Sequence, residues 1–263
     1  MARDVILESR GVGKRFDGFP AVEDVSYQVH DGESAGIIGP NGAGKTTFFN
    51  LLTGLYPPSS GSIHFQGRDV SALSGDRRTA LGLVRTFQLV SVFNSLTVVD
   101  NLVLAVVRGS PRPGGSLGFF FGPRRPRKVL DACQAALERV GIDPAAWEEP
   151  TANLSYGNKR KLEIAMALAL RPRVLLLDEP MAGLGESEIT EVLALLYRIR
   201  SEFTLVIIEH KISRILDLIT RLSVMHEGHL IADGPSDAVL ADRTVRRVYW
   251  GEPEDTTPAT AEG

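Results

Sequence analysis

Nine residues constrain this chain more than any other stretch: GPNGAGKTT, Gly39 to Thr47, in which Gly39, Gly44, Lys45 and Thr46 fill the fixed positions of G-x-x-x-x-G-K-[ST]. Gly39, Gly42 and Gly44 let the backbone take conformations that a side chain forbids, so that successive N–H groups turn toward one anionic group. Pro40, Asn41, Ala43 and Thr47 complete the candidate binding loop, and Lys45 adds a point positive charge. The run Thr46 to Leu52 predicts a helix whose positive N-terminal end faces the same anion. Its Thr46 hydroxyl is placed to ligate Mg²⁺. A strand, Ser34 to Ile38, delivers the loop. Glycine-rich loops often serve only as turns, but this many constrained positions between a strand and a helix point to a nucleoside triphosphate.

Composition sets bounds on the rest. With 263 residues, 43% hydrophobic and 23% charged, the chain can bury one large core, or one core and a subdomain. A formal charge of −3 and a pI near 6.0 give no basic footprint, which argues against nucleic acid as a partner. The single cysteine, Cys133, falls on one apolar helix face with Val129, Leu137 and Val140 and reads as core. Arg3, Asp4, Glu8 and Arg10 interrupt any secretory h-region. The apolar run Leu102 to Val107 falls far short of the ~18 residues of a membrane span. The expectation is a cytoplasmic protein for which any membrane work needs another subunit.

Along the chain, Val5 to Leu7 and the alternating Val25, Tyr27 and Val29 predict strands, as do Ile63 to Phe65 and Leu83 to Phe87, the last ending at Gln88. Helices are expected over Leu96 to Val107 and Arg127 to Val140, with a Gly- and Pro-rich segment between them that carries Phe119, Phe120, Phe121, Arg124 and Arg125. Ser155 is a good N-cap for a helix reaching about Leu170. Arg173 to Leu177 and Thr204 to Ile208 are apolar without alternation, as in strands of a parallel sheet buried on both faces. They end in Asp178-Glu179 and Glu209-His210. Ligands of such sheets bind at the carboxyl ends of strands, so Asp178, Glu179 and His210 are expected to converge on the phosphate loop. Arg221 to Met225 and Leu230 to Ala232 predict edge strands joined near Glu227-Gly228. Phe16 is an aromatic upstream of the loop, of a type that stacks on a purine but more often packs in a core. His30, His64, His226 and His229 read as structural or surface histidines.

Taken together, GPNGAGKTT, Gln88, LSYGN at Leu154 to Asn158, VLLLDEP at Val174 to Pro180 and His210 resemble, in that order, the ATP-binding-cassette ATPases. VRTFQ ahead of LTVVDNL, YG inside the signature, LEIA after it and a terminal Tyr-Trp-Gly narrow the resemblance to the ATPase subunits of branched-chain amino-acid importers. The resemblance implies an α/β fold: a P-loop NTPase core with a mostly parallel sheet, an antiparallel β part and an inserted helical subdomain. Residues 1–87 and 162–250 would form the two parts of the core, 88–161 the helical subdomain and 251–263 a disordered tail. It also implies a homodimer or a heterodimer with a related ATPase, closing around ATP and Mg²⁺ and seated under permease subunits on the inner membrane face, with a solute-binding protein acting from the other side. Lys45 and Thr46 of one subunit would hold phosphate and metal while Ser155 and Gly157 of the other close on the γ-phosphate. Phe16 would stack on adenine, Asp178 serve as the Mg²⁺-side carboxylate, Glu179 as the base, Gln88 as metal and water sensor, and His210 as γ-phosphate contact.

Gly185 departs from the family, standing where Asp or Asn is usual and removing a side chain that would bond across the dimer. Weaker coupling between sites is the expectation. Three alternatives stay open: a urea or amide importer, a lipid exporter, and a non-transport cassette regulator. Ribosome-associated relatives carry two cassettes and DNA-repair relatives a long coiled coil, and this sequence has neither.

Overall fold

The computed structural model describes residues 4–86, 90–109 and 127–251. Its centre is a six-stranded sheet of order β10-β9-β3-β8-β7-β6, built on β3 (Ser34–Ile38), β7 (Val174–Asp178) and β8 (Thr204–Ile208), which are buried at every residue. β6 (Leu83–Arg85), β7, β8, β3 and β9 (Arg221–His226) run parallel, and β10 (His229–Pro235) returns antiparallel along β9.

Alternate residues of the central strands face opposite layers. Ile37, Leu176, Val206 and Ile208 pack with α1 (Lys45–Leu52) and a second, antiparallel sheet of order β2-β1-β4-β5. Ile38, Leu175, Leu177, Leu205 and Ile207 pack with helices on the other face. An apolar run without alternation therefore becomes a strand with two buried faces.

The second sheet comprises β1 (Val5–Phe16), β2 (Phe19–His30), β4 (Ser60–Phe65) and β5 (Arg68–Asp69). Both long strands exceed the predicted pieces. Register shifts near Gly11, whose φ is 56°, break the alternation a sequence pattern relies on. The turn between them is Asp17-Gly18, both at positive φ, which suits a tight hairpin.

On the helical face, α3 (Val98–Gly109), α4 (Arg127–Val140) and α5 (Tyr156–Ala169) pack on one another, and α6 (Glu186–Ile199) lies against α5. Cys133 is fully buried among them, as its helix face predicts. Asn101, also fully buried, bonds the Phe93 and Thr97 carbonyls and the Thr151 hydroxyl, and so fixes the entry to α3. α5 continues unbroken through residue 161. Short helices α2 (Gly75–Ala80), α7 (Ser236–Ala241) and α8 (Arg243–Trp250) complete the chain.

One expectation is corrected. β10 is an edge strand, but β9 is not: it pairs with β3 from Ala35↔Arg221 to Ile38↔Val224 and is buried from Leu222 to Met225. Ser223 interrupts its apolar run, yet the buried hydroxyl is satisfied by Asp233 Oδ1 at 2.8 Å. Gln88, the Phe119–Phe121 and Arg124-Arg125 stretch and the tail from 252 lie outside the described residues. Among the described residues, no helix is long and apolar enough to cross a membrane.

Candidate functional site

The loop after β3 wraps the N-terminal end of α1 and floors a cleft of about 460 Å³. Gly39 has φ 156°, and a Cβ there would stand 2.2 Å from the Met225 carbonyl oxygen. Gly44 has φ 95°, and its Cβ would meet the Ala21 carbonyl at 2.6 Å. Neither position accepts a side chain without displacing backbone. The Lys45 ammonium is buried and donates to the Gly39 and Pro40 carbonyls at 2.7 and 2.9 Å, so the loop is pinned around its own cation. Burial lowers the Lys45 pKa, while Glu179 and Asp178 act in the opposite sense.

Asn41, Gly42, Ala43, Gly44, Lys45, Thr46 and Thr47 line the cleft together with Glu179 and His210. The sheet topology places these groups: β7 and β8 lie beside β3, and their carboxyl ends open toward the loop. Glu179 takes φ 48°, an uncommon conformation for a residue with a side chain, and its N–H donates to the Ile208 carbonyl at 3.0 Å. His210 Nε2 stands 2.6 Å from Glu179 Oε1. The carboxylate is nearly buried and the imidazole is partly open to the cleft.

Asp178, just before, is fully buried. Arg85 donates to its Oδ2 at 2.5 Å and, with its other terminal nitrogen, to Asn50 Oδ1 at 2.5 Å. Asp178 Oδ1 has no hydrogen-bond partner among the described residues. Asp178 itself does not line the cleft, though its neighbour Glu179 and Thr46 do; a buried carboxylate oxygen left open there fits a hard cation that takes most of its ligands from water and phosphate. Among the described residues, no cluster of three His, Cys, Asp or Glu forms a protein cage of its own.

Other candidates lie elsewhere. Phe16 is absent from the cleft lining; its ring meets Tyr56 edge-on at 5.4 Å, with the Lys14 ammonium 5.3 Å away. Ser155 caps α5, accepting from the Asn158 N–H at 3.2 Å, and neither it nor Gly157 lines the cleft of its own chain. The remaining histidines also stay outside it. Conversely, Pro20, Ala21, Glu227 and Gly228 line the cleft without having been singled out as binding residues. Gly228 ties the turn to the loop, donating to the Ala43 carbonyl at 3.1 Å and accepting from the Glu23 N–H at 2.9 Å. Its only sequence signal was a turn.

Glu209, next to His210, is buried and accepts from the Met181 N–H at 3.1 Å. Burial raises its pKa above the ordinary 4.5. A raised folded-state pKa in an acid means that ionisation costs stability, a cost absent below about pH 4.5 and growing as pH rises through the folded value. Glu209→Gln keeps the acceptor and removes the charge. We expect a higher Tm than wild type at pH 7, with the difference closing as pH falls toward 4.5 in thermal melts.

Comparison with known proteins places the chain in a family. Residues 22–182 match the family described as ABC transporter. The chain is 37% identical over 252 residues to the high-affinity branched-chain amino acid transport ATP-binding protein BraF of Pseudomonas aeruginosa, covering 94% of this chain and 98% of BraF. It is 36% identical over 252 residues to LivG of Escherichia coli, a protein of the same description, with the same coverage. Among solved structures, the ADP conformation of the cassette MJ1267 superposes with a TM-score of 0.83 at 29% identity, covering 95% of this chain and all of that one. With its phosphate loop, acidic strand end and cassette architecture on one scaffold, the chain belongs to the ABC transporter family, as an ATPase cassette.

Proposed function

We propose that this chain is the ATP-hydrolysing subunit of an importer for branched-chain or other amino acids, working as a dimer attached to permease subunits on the cytoplasmic membrane face. The observation that carries the reading is the one cleft in which Lys45, Thr46, Glu179 and His210 meet. The descriptions of BraF and LivG supply the solute class. In this reading residues 88–161 form the arm that faces the permease.

Phosphoryl transfer asks a protein mainly for positioning and charge neutralisation. The loop N–H groups and the α1 terminus receive the phosphates, and Lys45 turns from its carbonyl partners toward them. Mg²⁺, which Thr46 and Asp178 would hold, supplies charge neutralisation at the phosphate oxygens. Arg85 keeps the Asp178 carboxylate oriented. Glu179 takes a proton from the attacking water, and His210 holds that carboxylate until the γ-phosphate arrives. Phe16, two-fifths exposed and braced by Tyr56, offers its face to adenine. Ser155 and Gly157 act on the ATP of the opposite subunit, and Gln88 senses metal and water.

Gly185 caps α6 without a side chain, and among the described residues a Cβ there would meet only Glu188 Oε2, at 3.9 Å. Gly185→Asp therefore fits. We expect it to raise the Hill coefficient of ATP hydrolysis; an unchanged rate and Hill coefficient would remove Gly185 from any role in coupling.

The test of the function is co-expression with the candidate permease. ATP-dependent uptake of branched-chain amino acids by vesicles carrying the complex is expected. Capture of an amide permease or of a lipid-extracting membrane complex instead would move the assignment to those transporters.

A further inference from the structure

The signature helix α5 presents two anion-binding groups at its start, the Ser155 hydroxyl and the Gly157 N–H. In the single chain the second of them already serves a carboxylate. Glu188, on the first turn of α6, accepts the Gly157 N–H on Oε1 at 2.8 Å and the Gly185 N–H on Oε2 at 3.2 Å. The Gly157 and Gly185 N–H groups have the largest effect in holding the Glu188 carboxyl below the usual carboxylate range, and the Ser155 side chain acts in the same direction. The fit is close: a Cβ on Gly157 would stand 2.7 Å from Glu188 Oε1 and 2.8 Å from its Cγ. Lys161, a cation that acts on this carboxylate, is itself paired with Glu191.

We propose that Glu188 is a stand-in anion, occupying the Gly157 N–H of the signature in the single subunit and giving it up to the γ-phosphate of ATP when two subunits close. The proposal rests on the reading that Ser155 and Gly157 act on the opposite subunit's ATP. One N–H cannot serve a carboxylate and a phosphate at once, and two anions at one helix terminus repel. Glu188 thus keeps an empty signature ordered and raises the ATP concentration at which closure occurs. It also links closure to the segment after the acidic strand, because the same carboxylate holds Gly185.

The experiment measures dimer fraction against ATP by mass photometry, in a Glu179→Gln background that retains ATP. Glu188→Gln keeps one acceptor oxygen, enough for the Gly157 N–H or the Gly185 N–H, and removes the charge. It is expected to lower the ATP concentration at half-dimerisation by about tenfold, the size of change expected when a charged hydrogen-bond partner becomes neutral. ATP binding by dilute single subunits should stay at the level of the parent, since Glu188 does not line its own chain's cleft. A midpoint that is unmoved or higher overturns the proposal and leaves Glu188 as a structural cap. Ser155→Arg in the same background separates the two readings. If that variant still dimerises at the parent's ATP concentration, the signature assignment itself fails; if it abolishes the dimer while Glu188→Gln shifts nothing, only the stand-in role fails.

Discussion

Glu179→Gln is expected to cut ATP turnover by about 10²–10⁴-fold while leaving ATP bound, the loss typical of a positioned base. The expectation follows from its place in the cleft. The carboxylate sits at the carboxyl end of β7 on a backbone at φ 48°, against the imidazole of His210, while the groups proposed to hold phosphate are on the separate loop around Lys45. In the proposed mechanism, removing its charge takes away the proton acceptor and none of the phosphate contacts. In energy terms the loss is about 3–5 kcal/mol of barrier. Steady-state hydrolysis and equilibrium nucleotide binding, measured on the same preparation, separate the two effects. Full turnover in the variant would take Glu179 out of its role.

The second large effect is on stability. Arg78, on α2, is 1% exposed, and its guanidinium donates to four main-chain carbonyls: Leu51 and Leu52 at 2.7 Å, Ser71 and Leu73 at 3.0 Å. Two of these are the last residues of α1, the helix whose first residue is Lys45. α1 has no basic residue in its last turn, so Arg78 supplies from another element the cation that a helix C-terminus favours. Burial pushes its pKa down to about 10, which leaves it charged at neutral pH. Arg78→Met fills similar space without a donor and strands carbonyls that water cannot reach. We expect a loss of about 3 kcal/mol, and a fall in Tm of roughly 6–12 °C for a chain of this size. Calorimetry at neutral pH checks it; a Tm within 1–2 °C, roughly the effect of a neutral surface change, would contradict the anchoring role.

The phosphate loop was legible because glycine spacing and Lys45 admit few other conformations, and the structure makes the reason explicit at Gly39 and Gly44. β3, β7 and β8 were legible because a strand buried on both faces needs an unbroken apolar run. α4 and the Ser155 cap followed from helical periodicity and one side-chain bond. What could not be read had no local signal. Arg85 and Asp178 are 93 residues apart, and Glu188 and Gly157 are 31 apart; only the folded sheet and the packing of α5 on α6 bring them together. β1 and β2 were underestimated because bulges interrupt their alternation, and β9 because a buried serine disguised its apolar run. α8 is a different case. Asp242 accepts the Thr244 and Val245 N–H groups and Gly251 closes the helix at φ 69°, so its signals stood in the sequence unread. That helix matters to the site, since the Tyr249 hydroxyl donates to the His210 carbonyl.

The central claim is that the cleft of one subunit is completed by the signature of another, because Ser155 and Gly157 stand outside their own chain's cleft. The most direct measurement is the ATPase rate per molecule across a range of protein concentrations at saturating ATP and Mg²⁺. The account predicts a specific rate that climbs with concentration as dimers form, then levels. Hydrolysis at a substantial rate that is independent of concentration, by a particle of single-subunit mass, would contradict it.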